Sequence, residues 1–591
     1  MMNFFDGNPF AGVTYRKLEG DFLRTRIMDE VPFLEVDPAG IQKLAEEAFQ
    51  DVSFYLRPSF LEKLKGILQD GEASENDRYV AEALLHNAVV ASEGFLPLCQ
   101  DTGTATVIAW KGDRVWVRPQ EREEGALQRA SGRMETIPDK LSSSTPDEEA
   151  LWRGIESVYR TRYLRYSQVA PITMFEEVNT GTNLPPQIDI YASEGMEYRF
   201  LFITKGAGSA NKTSFFQESR ALLEGEKLRS FLREKVRALG TAACPPYRLA
   251  VVIGGLSPEM NLKVLKLATA GFLDGLPQQG DGNGVMYLDR EWSEILLQVA
   301  QESGLGAQVG GKYLALDARV IRMPRHAGSC PVSIGVSCSA DRNILGRITP
   351  EGIFLEQLEK EPSRFLEHLS PREDHPQGGE GSGEPPQDAE TPGGIGSPTR
   401  LAPGVTRRRM ITRIDLDRGL DEVRKELSRL PVGSLVLLSG PLVVARDIAH
   451  ARFHQRLVEG KGLPDYLHQY GIYYAGPAKT PPGFPIGSFG PTTAQRMDGY
   501  LEAFMQEGAS LVTLAKGNRS GGVRELCRRY GGFYLGTIGG AAALLAKNHI
   551  LSSEVLDYPD LGMEAVRLIQ VKDFPAFILI DDKGNDLYGM S

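Results

Sequence analysis

Three cysteines stand in unusually polar surroundings in this sequence. Cys99 lies in "LCQDTG", Cys244 in "GTAACPPY" and Cys338 in "GVSCSADR", each at a turn after an apolar or small-residue stretch. Buried structural cysteine usually has apolar neighbours on both sides, a pattern that fits Cys527 in "VRELCRRYGG". Three thiolates from distant turns can hold an iron-sulfur cluster and leave one iron with open coordination sites. That iron would act as a Lewis acid toward a substrate hydroxyl or carboxylate.

The number and spacing of the cysteines argue against disulfides and against CxxC-type sites. Five cysteines in 591 residues are few, odd in number and widely scattered, which does not suit a disulfide framework. None forms a CxxC pair, so neither a zinc ribbon nor a thioredoxin-type site is supported.

Four glycine-rich loops follow predicted strands, and such loops aim backbone N–H groups at anions. They are "KGAGSANKTS" from Lys205 to Ser214, "GSFGPTTAQR" with Thr492, Thr493 and Arg496, "AKGNRS" with Lys516 and Arg519, and "SGPLVVARDIAH" with Arg446 and Asp447. Each loop alone is more often a tight connection, a threonine N-cap or a surface arginine. Together they indicate a site for a small polyanion.

One loop also supports a rival hypothesis. "GAGSANKT" misses the phosphate-binding pattern GxxxxGK[ST] only at Asn211, and "FILIDD" resembles the strand that holds magnesium in nucleotide hydrolases. A P-loop nucleotide hydrolase leaves the polar cysteines unexplained, however, and "FILIDDKGND" is more typical of a hairpin.

Composition and charge limit the function classes. The net charge is −11, and the only dense basic run is 407–409, so a nucleic-acid partner is not expected. No apolar run is long enough to cross a bilayer, and the first residues lack a targeting pattern. A cytoplasmic protein with no membrane partner is therefore predicted.

The secondary-structure pattern predicts an α/β fold (mixed α+β). Apolar residues at spacings of three and four predict helices over 38–56, 58–70 and 75–94. Beyond residue 104, short apolar runs such as "YRFLFITK" and "RLAVVIGG" predict buried strands, and "NKTSFFQESRALLE" predicts a helix between them.

The segment rich in proline, glycine, serine and acidic residues at 371–404 predicts a flexible linker between two domains. The N-terminal domain would span 1–370 and a smaller C-terminal α/β domain 405–591. The polar, aperiodic segment at 117–147 predicts a surface insertion.

Eleven fragments in order resemble the single-chain class I fumarate hydratases across nearly the whole chain. They are "PLCQDTGTATV", "LRYSQ", "EVNTGTNLPPQIDIY", "KGAGSANKT", "GTAACPPY", "GAQVGGKY", "RMPRHAGSCPVSIGVSCSADR", "ARDIAH", "YYAGPAKTPPGFPIGSFGPTTAQRMDGY", "LAKGNRS" and "GFYLGTIGG". The chain departs from the family pattern at the insertion, at the linker and at Ala207, where glycine is expected. The linker falls where two-subunit members divide, so the chain resembles a fusion of the two parts.

The resemblance implies a site and a reaction. Cys99, Cys244 and Cys338 would hold a 4Fe-4S cluster, with Cys330 a bystander. The set that would bind a dicarboxylate is Gln100, Arg165, Gly208, Arg446, Arg496 and Lys516. Asp101 with His326 would act at the leaving hydroxyl, and Thr492 with Thr493 near the C3 proton. The reaction would interconvert fumarate and (S)-malate in a homodimer.

Two other outcomes stay open from the sequence. The same scaffold could act on tartrate or a methylated fumarate (mesaconate), because one methyl or hydroxyl group changes binding by only about 1–3 kcal/mol. A cluster-containing regulator without turnover is the other outcome, and the acidic charge and the full clamp set disfavour it.

Overall fold

The computed structural model describes residues 9–10, 12–119, 145–367 and 411–589. The linker predicted at 371–404 and most of the insertion predicted at 117–147 lie outside these ranges. The division into domains at 370 and 405 therefore stays a prediction.

Helices are distributed along both halves of the described chain. They are α1 (Pro38–Phe54), α2 (Pro58–Gln69), α3 (Glu75–Ser92), α4 (Pro146–Thr161), α5 (Ala207–Ala210), α6 (Gly225–Leu239), α7 (Pro258–Thr269), α8 (Arg290–Glu302), α9 (Leu420–Ser428), α10 (Asp447–Val458), α11 (Tyr466–Gln469), α12 (Asp498–Gln506), α13 (Gly521–Tyr530) and α14 (Ala542–His549).

Strands alternate with these helices, which confirms the mixed α/β class. Those before the linker are β1 (Tyr15–Leu18), β2 (Leu23–Met28), β3 (Val31–Val36), β4 (Thr104–Gly112), β5 (Val115–Val117), β6 (Val169–Pro171), β7 (Glu177–Asn179), β8 (Gln187–Ser193), β9 (Tyr198–Lys205), β10 (Ser214–Glu218), β11 (Tyr247–Gly255), β12 (Tyr287–Asp289), β13 (Ala315–Arg325), β14 (Cys330–Ser337), β15 (Asn343–Thr349) and β16 (Gly352–Glu356). Those after it are β17 (Thr412–Asp415), β18 (Leu435–Val444), β19 (Gly471–Tyr473), β20 (Ala475–Pro477), β21 (Phe489–Pro491), β22 (Val512–Ala515), β23 (Phe533–Gly536), β24 (Ile550–Asp557) and β25 (Val566–Ile580).

Two large sheets organise the N-terminal half, beside the smaller sheets β2-β3-β5 and β6-β7. One has the order β1-β16-β15-β9-β4-β8, and the other has the order β10-β14-β11-β13-β12. Strand β11 explains how they pack: Leu249, Val251 and Ile253 belong to a core with α6 and α8, whereas Ala250 and Val252 belong to a core shared with the first sheet. Because successive side chains alternate between faces, a strand buried on both faces needs a continuous apolar run.

A seven-stranded sheet organises the C-terminal half. Its order is β17-β18-β19-β22-β23-β25-β24, with a further pairing between β18 and β25. The parallel strands β18, β19, β22 and β23 read as short apolar runs, as expected for strands covered on both faces. The long β25 pairs with both β18 and β23, which closes five strands into a ring.

The two halves share a hydrophobic core. Helices α2 and α3 contribute residues such as Phe60 and Leu84 to the same buried cluster as Val443 and Phe577 of the C-terminal sheet. Asn87 of α3 accepts hydrogen bonds from the backbone N–H groups of Ala543 and Leu544, at 2.9 and 3.0 Å. The helical start of the chain therefore fixes the position of the C-terminal half.

One predicted element is wrong. The segment 211–224, predicted as a helix, instead forms β10, which pairs with β14, followed by a short 3₁₀ turn. Pairing with a distant strand overrides the local pattern there. The predicted C-terminal hairpin is confirmed: Ile580, at the end of β25, forms an antiparallel bridge with Asp586, and Leu587 N–H donates to Leu579 O at 2.9 Å. In the turn between them, Asp581 accepts from the N–H groups of Lys583 and Asn585.

None of the helices in the described ranges has the length and apolar character that crossing a lipid bilayer requires.

A buried ion pair joins α2 to the first sheet. Arg57 donates from Nε and Nη2 to the two carboxylate oxygens of Glu356, at 2.5 and 2.8 Å. Replacing Glu356 with alanine leaves a buried guanidinium unpaired, and we expect a loss of about 3–5 kcal/mol in unfolding free energy. Thermal unfolding followed by circular dichroism would measure the loss.

The exposed pair Arg418–Glu426 provides the control for that substitution. Glu426→Ala should cost less than about 1 kcal/mol, because exposed ion pairs are screened by water. Equal shifts for the two variants would contradict the structural role assigned to Glu356.

Candidate active site

The strand order brings the three polar cysteines to one region. Cys244 lies just before β11 and Cys338 directly follows β14, and these strands are antiparallel with Arg248 opposite Ser337. The backbone N–H of Ser339 donates to the carbonyl of Cys244 at 3.0 Å. The connection from Cys338 then leads into β15 of the other sheet, beside the end of β9 and the start of β4 that follows Cys99.

Cys244 is held in a tight environment. Its φ of 61° is uncommon outside glycine and asparagine, and such positions often occur at functional sites. Lys516 Nζ lies 2.8 Å from its sulfur. A Cβ on Gly539 would lie only 2.4 Å from the same sulfur, so only glycine leaves room for this thiol.

The thiols lie within range of one another's charge. Burial raises the pKa of Cys99 to about 12, and Asp101, Cys338 and Cys244 add to this increase while Arg342 opposes it. Burial also raises the pKa of Cys244, against the effect of Lys516. All three cysteines are free thiols, with Cys99 and Cys244 buried and Cys338 partly exposed.

The three thiols have cations beside them. Cys99 interacts electrostatically with Cys338 and Cys244, Arg342 interacts with Cys99 and Cys338, and Lys516 contacts Cys244. Within the described ranges, no three His, Cys, Asp or Glu side chains are close enough to hold one metal ion together. Thiolates beside cations have the chemistry of iron-sulfur ligands. Cys330, at the start of β14, is buried in an apolar core instead.

Asp101 is held by the loop after β9. Its Oδ2 accepts from the N–H of Ala207 at 2.8 Å, and Oδ1 accepts from the N–H of Gly103 at 3.2 Å. Burial would raise the pKa of Asp101, but Arg165 and Arg342 outweigh it and lower that pKa. Because Ala207 acts through its backbone, the departure from glycine at this position preserves the contact.

Two arginines converge from the two halves of the chain. Arg446 Nη2 lies 2.5 Å from Glu564 Oε1, and Arg165 Nη2 lies 3.9 Å from the same oxygen. Burial and the neighbouring Arg165 lower the pKa of Arg446 to about 10, against the effect of Glu564. Two guanidinium groups near one carboxylate oxygen are the residue types that bind carboxylates.

The remaining predicted binding and catalytic residues of the C-terminal half lie nearby. Lys516 N donates to the carbonyl of Thr492 at 3.1 Å, and Thr493 forms a β-bridge with Lys516. Arg496 pairs with Asp447 at 2.8 Å, next to Arg446.

Two residues of the N-terminal half reach the same loops. Gln100 Nε2 donates to the carbonyl of Pro491 at 3.2 Å, directly before Thr492. A Cβ on Gly208 would lie 3.7 Å from Lys516 Nζ, which places this backbone at the site.

His326 lies away from the other predicted site residues. It is exposed in the turn between β13 and β14, whereas Cys338 follows the opposite end of β14. Eight strand residues rise by roughly 26 Å, so His326 cannot reach Asp101 of the same chain. The expected partnership of Asp101 with His326 is therefore wrong within one chain, because the strand that links His326 to Cys338 carries them apart.

Sequence reasoning missed two charged residues of the site. Arg342 is buried and interacts electrostatically with Cys99, Cys338 and Asp101, and it follows Cys338 by four residues in a motif already notable for that cysteine. Glu564 lies 48 residues after Lys516, the nearest predicted site residue of its half, and nothing in its sequence surroundings indicates the contact with Arg446.

A cavity of about 500 Å³ opens beside Asp101. Lys205 and Lys266 line it with several amide and hydroxyl side chains, and burial, with a smaller effect of Lys266, lowers the pKa of Lys205 to about 8. The cavity therefore combines one carboxylate with two lysines, in a chain of net charge −11.

The phosphate-binding hypothesis is not supported by this geometry. The loop after β9 enters the four-residue helix α5 and then β10, rather than a long helix that would follow a P-loop. Asp581 caps its own turn and is buried there.

The fold is a mixed α/β fold that brings three free thiols and several cationic side chains toward one region. The family model described as "Fumarate hydratase (Fumerase)" matches residues 42–136 and 133–347, and that described as "Fumarase C-terminus" matches 395–591. The chain belongs to the class I fumarate hydratases.

Individual relatives agree with this assignment over most of their length. "Fumarate hydratase class I, aerobic" of Escherichia coli (strain K12) is 48% identical over 94% of this chain and 90% of its own. The anaerobic class I enzyme of the same strain is 47% identical over 97% and 94%, and "Fumarate hydratase 2" of Leishmania major is 48% identical over 94% and 87%.

Proposed function

We propose that this protein is a hydro-lyase that reversibly hydrates fumarate to (S)-malate. The observation that carries the proposal is the convergence of Arg165 and Arg446 on one carboxylate oxygen beside the three thiols. A substrate with two carboxylates needs two cationic regions, and Lys516, beside Cys244, would supply the second.

Cys99, Cys244 and Cys338 would hold a 4Fe-4S cluster. Such a cluster, when bound, supplies a Lewis acid that polarises the substrate hydroxyl and carboxylate at its unligated iron. The free thiols, the adjacent cations and the space that Gly539 leaves for Cys244 support this assignment.

Asp101 is the residue best suited to move a proton at the hydroxyl-bearing carbon. The lowered pKa keeps its carboxylate ionised at neutral pH, so in the hydration direction it can accept a proton from the water that adds. Its two backbone hydrogen bonds fix the carboxylate without neutralising it.

Thr492 is proposed to act near C3, with Thr493 beside it. The backbone of Thr492 is fixed on both sides, by its N–H donating to Tyr474 O and by its carbonyl accepting from Lys516 N. The Lys516 ammonium next to this loop favours an oxyanion, which a threonine hydroxyl needs in order to exchange a proton.

We also propose a cytoplasmic homodimer built from the two predicted domains. Met174 and Phe175, between β6 and β7, are 86% and 95% exposed, an apolar tip of the kind that a second copy covers. His326 could act at a catalytic centre only if it came from that second copy. Light scattering should give twice the 64.9 kDa of one chain; a monomer would exclude this role for His326.

Anaerobic purification, reconstitution with iron and sulfide, and the appearance of fumarate absorbance from malate would test the proposed reaction. Parallel reactions with tartrate and with hydrated mesaconate define specificity. Malate should be turned over with the highest kcat/KM. A preference for tartrate would make tartrate the substrate in place of malate. An iron-loaded protein that is inactive on all three compounds would contradict hydratase function.

A further inference from the structure

Glu564 is an acidic residue at the centre of a cationic clamp. Its carboxylate contacts Arg446 of the C-terminal half and approaches Arg165 of the N-terminal half, the two residues proposed to bind a substrate carboxylate. The side chain of Glu564 is 22% exposed, whereas that of Arg446 is 5% exposed. An acid from the protein itself therefore occupies the place where a substrate carboxylate is expected.

The contact differs from a structural ion pair. Glu564 Oε2 is buried and makes no hydrogen bond in the described part of the chain, and the close approach of Oε1 to Arg446 Nη2 lacks hydrogen-bond geometry. The pair Arg57–Glu356 shows what a permanent clamp looks like here, with two parallel hydrogen bonds and both oxygens used. Glu564 is thus a poor fit for a fixed support of Arg446.

Donor groups of both arginines are left over. Arg446 Nε and Arg165 Nε are buried without an acceptor among the residues described. Leaving buried guanidinium donors unsatisfied is unfavourable, and a second carboxylate could take them up. Both arginines can therefore donate hydrogen bonds that Glu564 does not accept.

The segment that carries Glu564 is fastened separately from the clamp. It runs between β24 and β25, with Tyr558 at φ 50° and Gly562 at φ 57°. Asp560 forms two hydrogen bonds with Arg452 of α10, at 2.9 and 2.5 Å. This attachment would hold the segment in place if the Glu564 side chain turned away from Arg446.

We propose that Glu564 is a placeholder carboxylate, which neutralises Arg165 and Arg446 in the free enzyme and is displaced by a carboxylate of the substrate. The proposal rests on the proposed function, which makes these arginines the substrate clamp. Only enzyme molecules in which Glu564 has left the arginines can bind a substrate carboxylate there. Glu564 therefore weakens the apparent affinity for every dicarboxylate. It acts as a positioning residue and takes no part in proton transfer.

Glu564→Gln tests the proposal, because glutamine keeps the shape and removes the charge that competes. In the reconstituted enzyme we expect KM for malate and the inhibition constant of succinate, a dicarboxylate that cannot react, to fall about 3- to 10-fold. The value of kcat should change less than about twofold, because the residue competes only before substrate is bound. Glu564→Ala should shift affinity in the same direction.

Asp560→Asn is the matched control, since it removes a carboxylate of the same segment that contacts Arg452 and not the clamp. We expect its affinity for succinate to stay within about twofold of the parent enzyme. Unchanged or weaker succinate binding in Glu564→Gln would overturn the proposal and make Glu564 a support of Arg446. Calorimetric titration with succinate needs no turnover, so it separates this failure from failure of the proposed reaction.

Discussion

Cys338→Ser should lose bound iron in enzyme purified and reconstituted without oxygen. Its hydratase activity should fall by more than about 100-fold, because losing a residue that only supports a metal ligand already costs up to about 100-fold. The reason is that three thiols have to supply the whole protein ligand set, and a serine hydroxyl is a far weaker ligand for iron than a thiolate. Iron and sulfide content and the rate of fumarate formation from malate are the measurements.

Cys330→Ala is the matched control because Cys330 begins the strand β14 that Cys338 directly follows, eight residues later. Cys330 packs among apolar side chains such as Val332 and Leu249, so its loss should reduce stability slightly and leave iron and turnover at wild-type levels. If Cys338→Ser retained both iron and turnover, or if Cys330→Ala lost both, the three-thiol centre would be wrong.

Much of the fold could be predicted because local pattern and tertiary environment agree there. The period of α1 to α3 and the apolar runs of β9 and β11 each indicate the element that forms. The segment 211–224 failed because β10 forms only by pairing with β14, more than a hundred residues away. A pairing at that distance leaves no periodic signal in the segment itself.

The residues of the candidate site also include some that the sequence predicts and some that it does not. Its predicted cysteines and clamp residues lie in glycine-rich turns whose composition already indicates anion and thiolate chemistry, and their joint role stays a prediction. Arg342 lies in the motif of Cys338, but a charged residue in sequence does not reveal its own burial, and Glu564 lies in no motif at all. His326 belongs to the cysteine motif by position but lies at the other end of its strand, so proximity in sequence predicted proximity in space wrongly.

Asp101→Asn should reduce turnover about 10²- to 10⁴-fold, the range for loss of a general acid–base group, while iron content stays at the wild-type level. Asparagine has nearly the same shape and keeps one oxygen to accept from Ala207 N–H or Gly103 N–H. What it loses is the negative charge facing Arg165 and Arg342 and the ability to hold a transferred proton. The rate of malate formation, measured beside iron content, separates lost chemistry from a lost cluster.

The lowered pKa of Asp101 also determines how turnover should depend on pH. Because the pKa of Asp101 is lowered in the folded protein, its carboxylate stays ionised down to pH values below the ordinary aspartate pKa of about 4. Hydration should therefore show no loss attributable to Asp101 between pH 6 and 8, on the order of one unit either side of neutrality. Asp113→Asn is the control, since Asp113 also accepts from a backbone N–H, that of Gly195, in a surface turn away from the thiols. Wild-type turnover in Asp101→Asn with a full cluster would remove this residue from proton transfer and leave it as a support for the loop at Ala207.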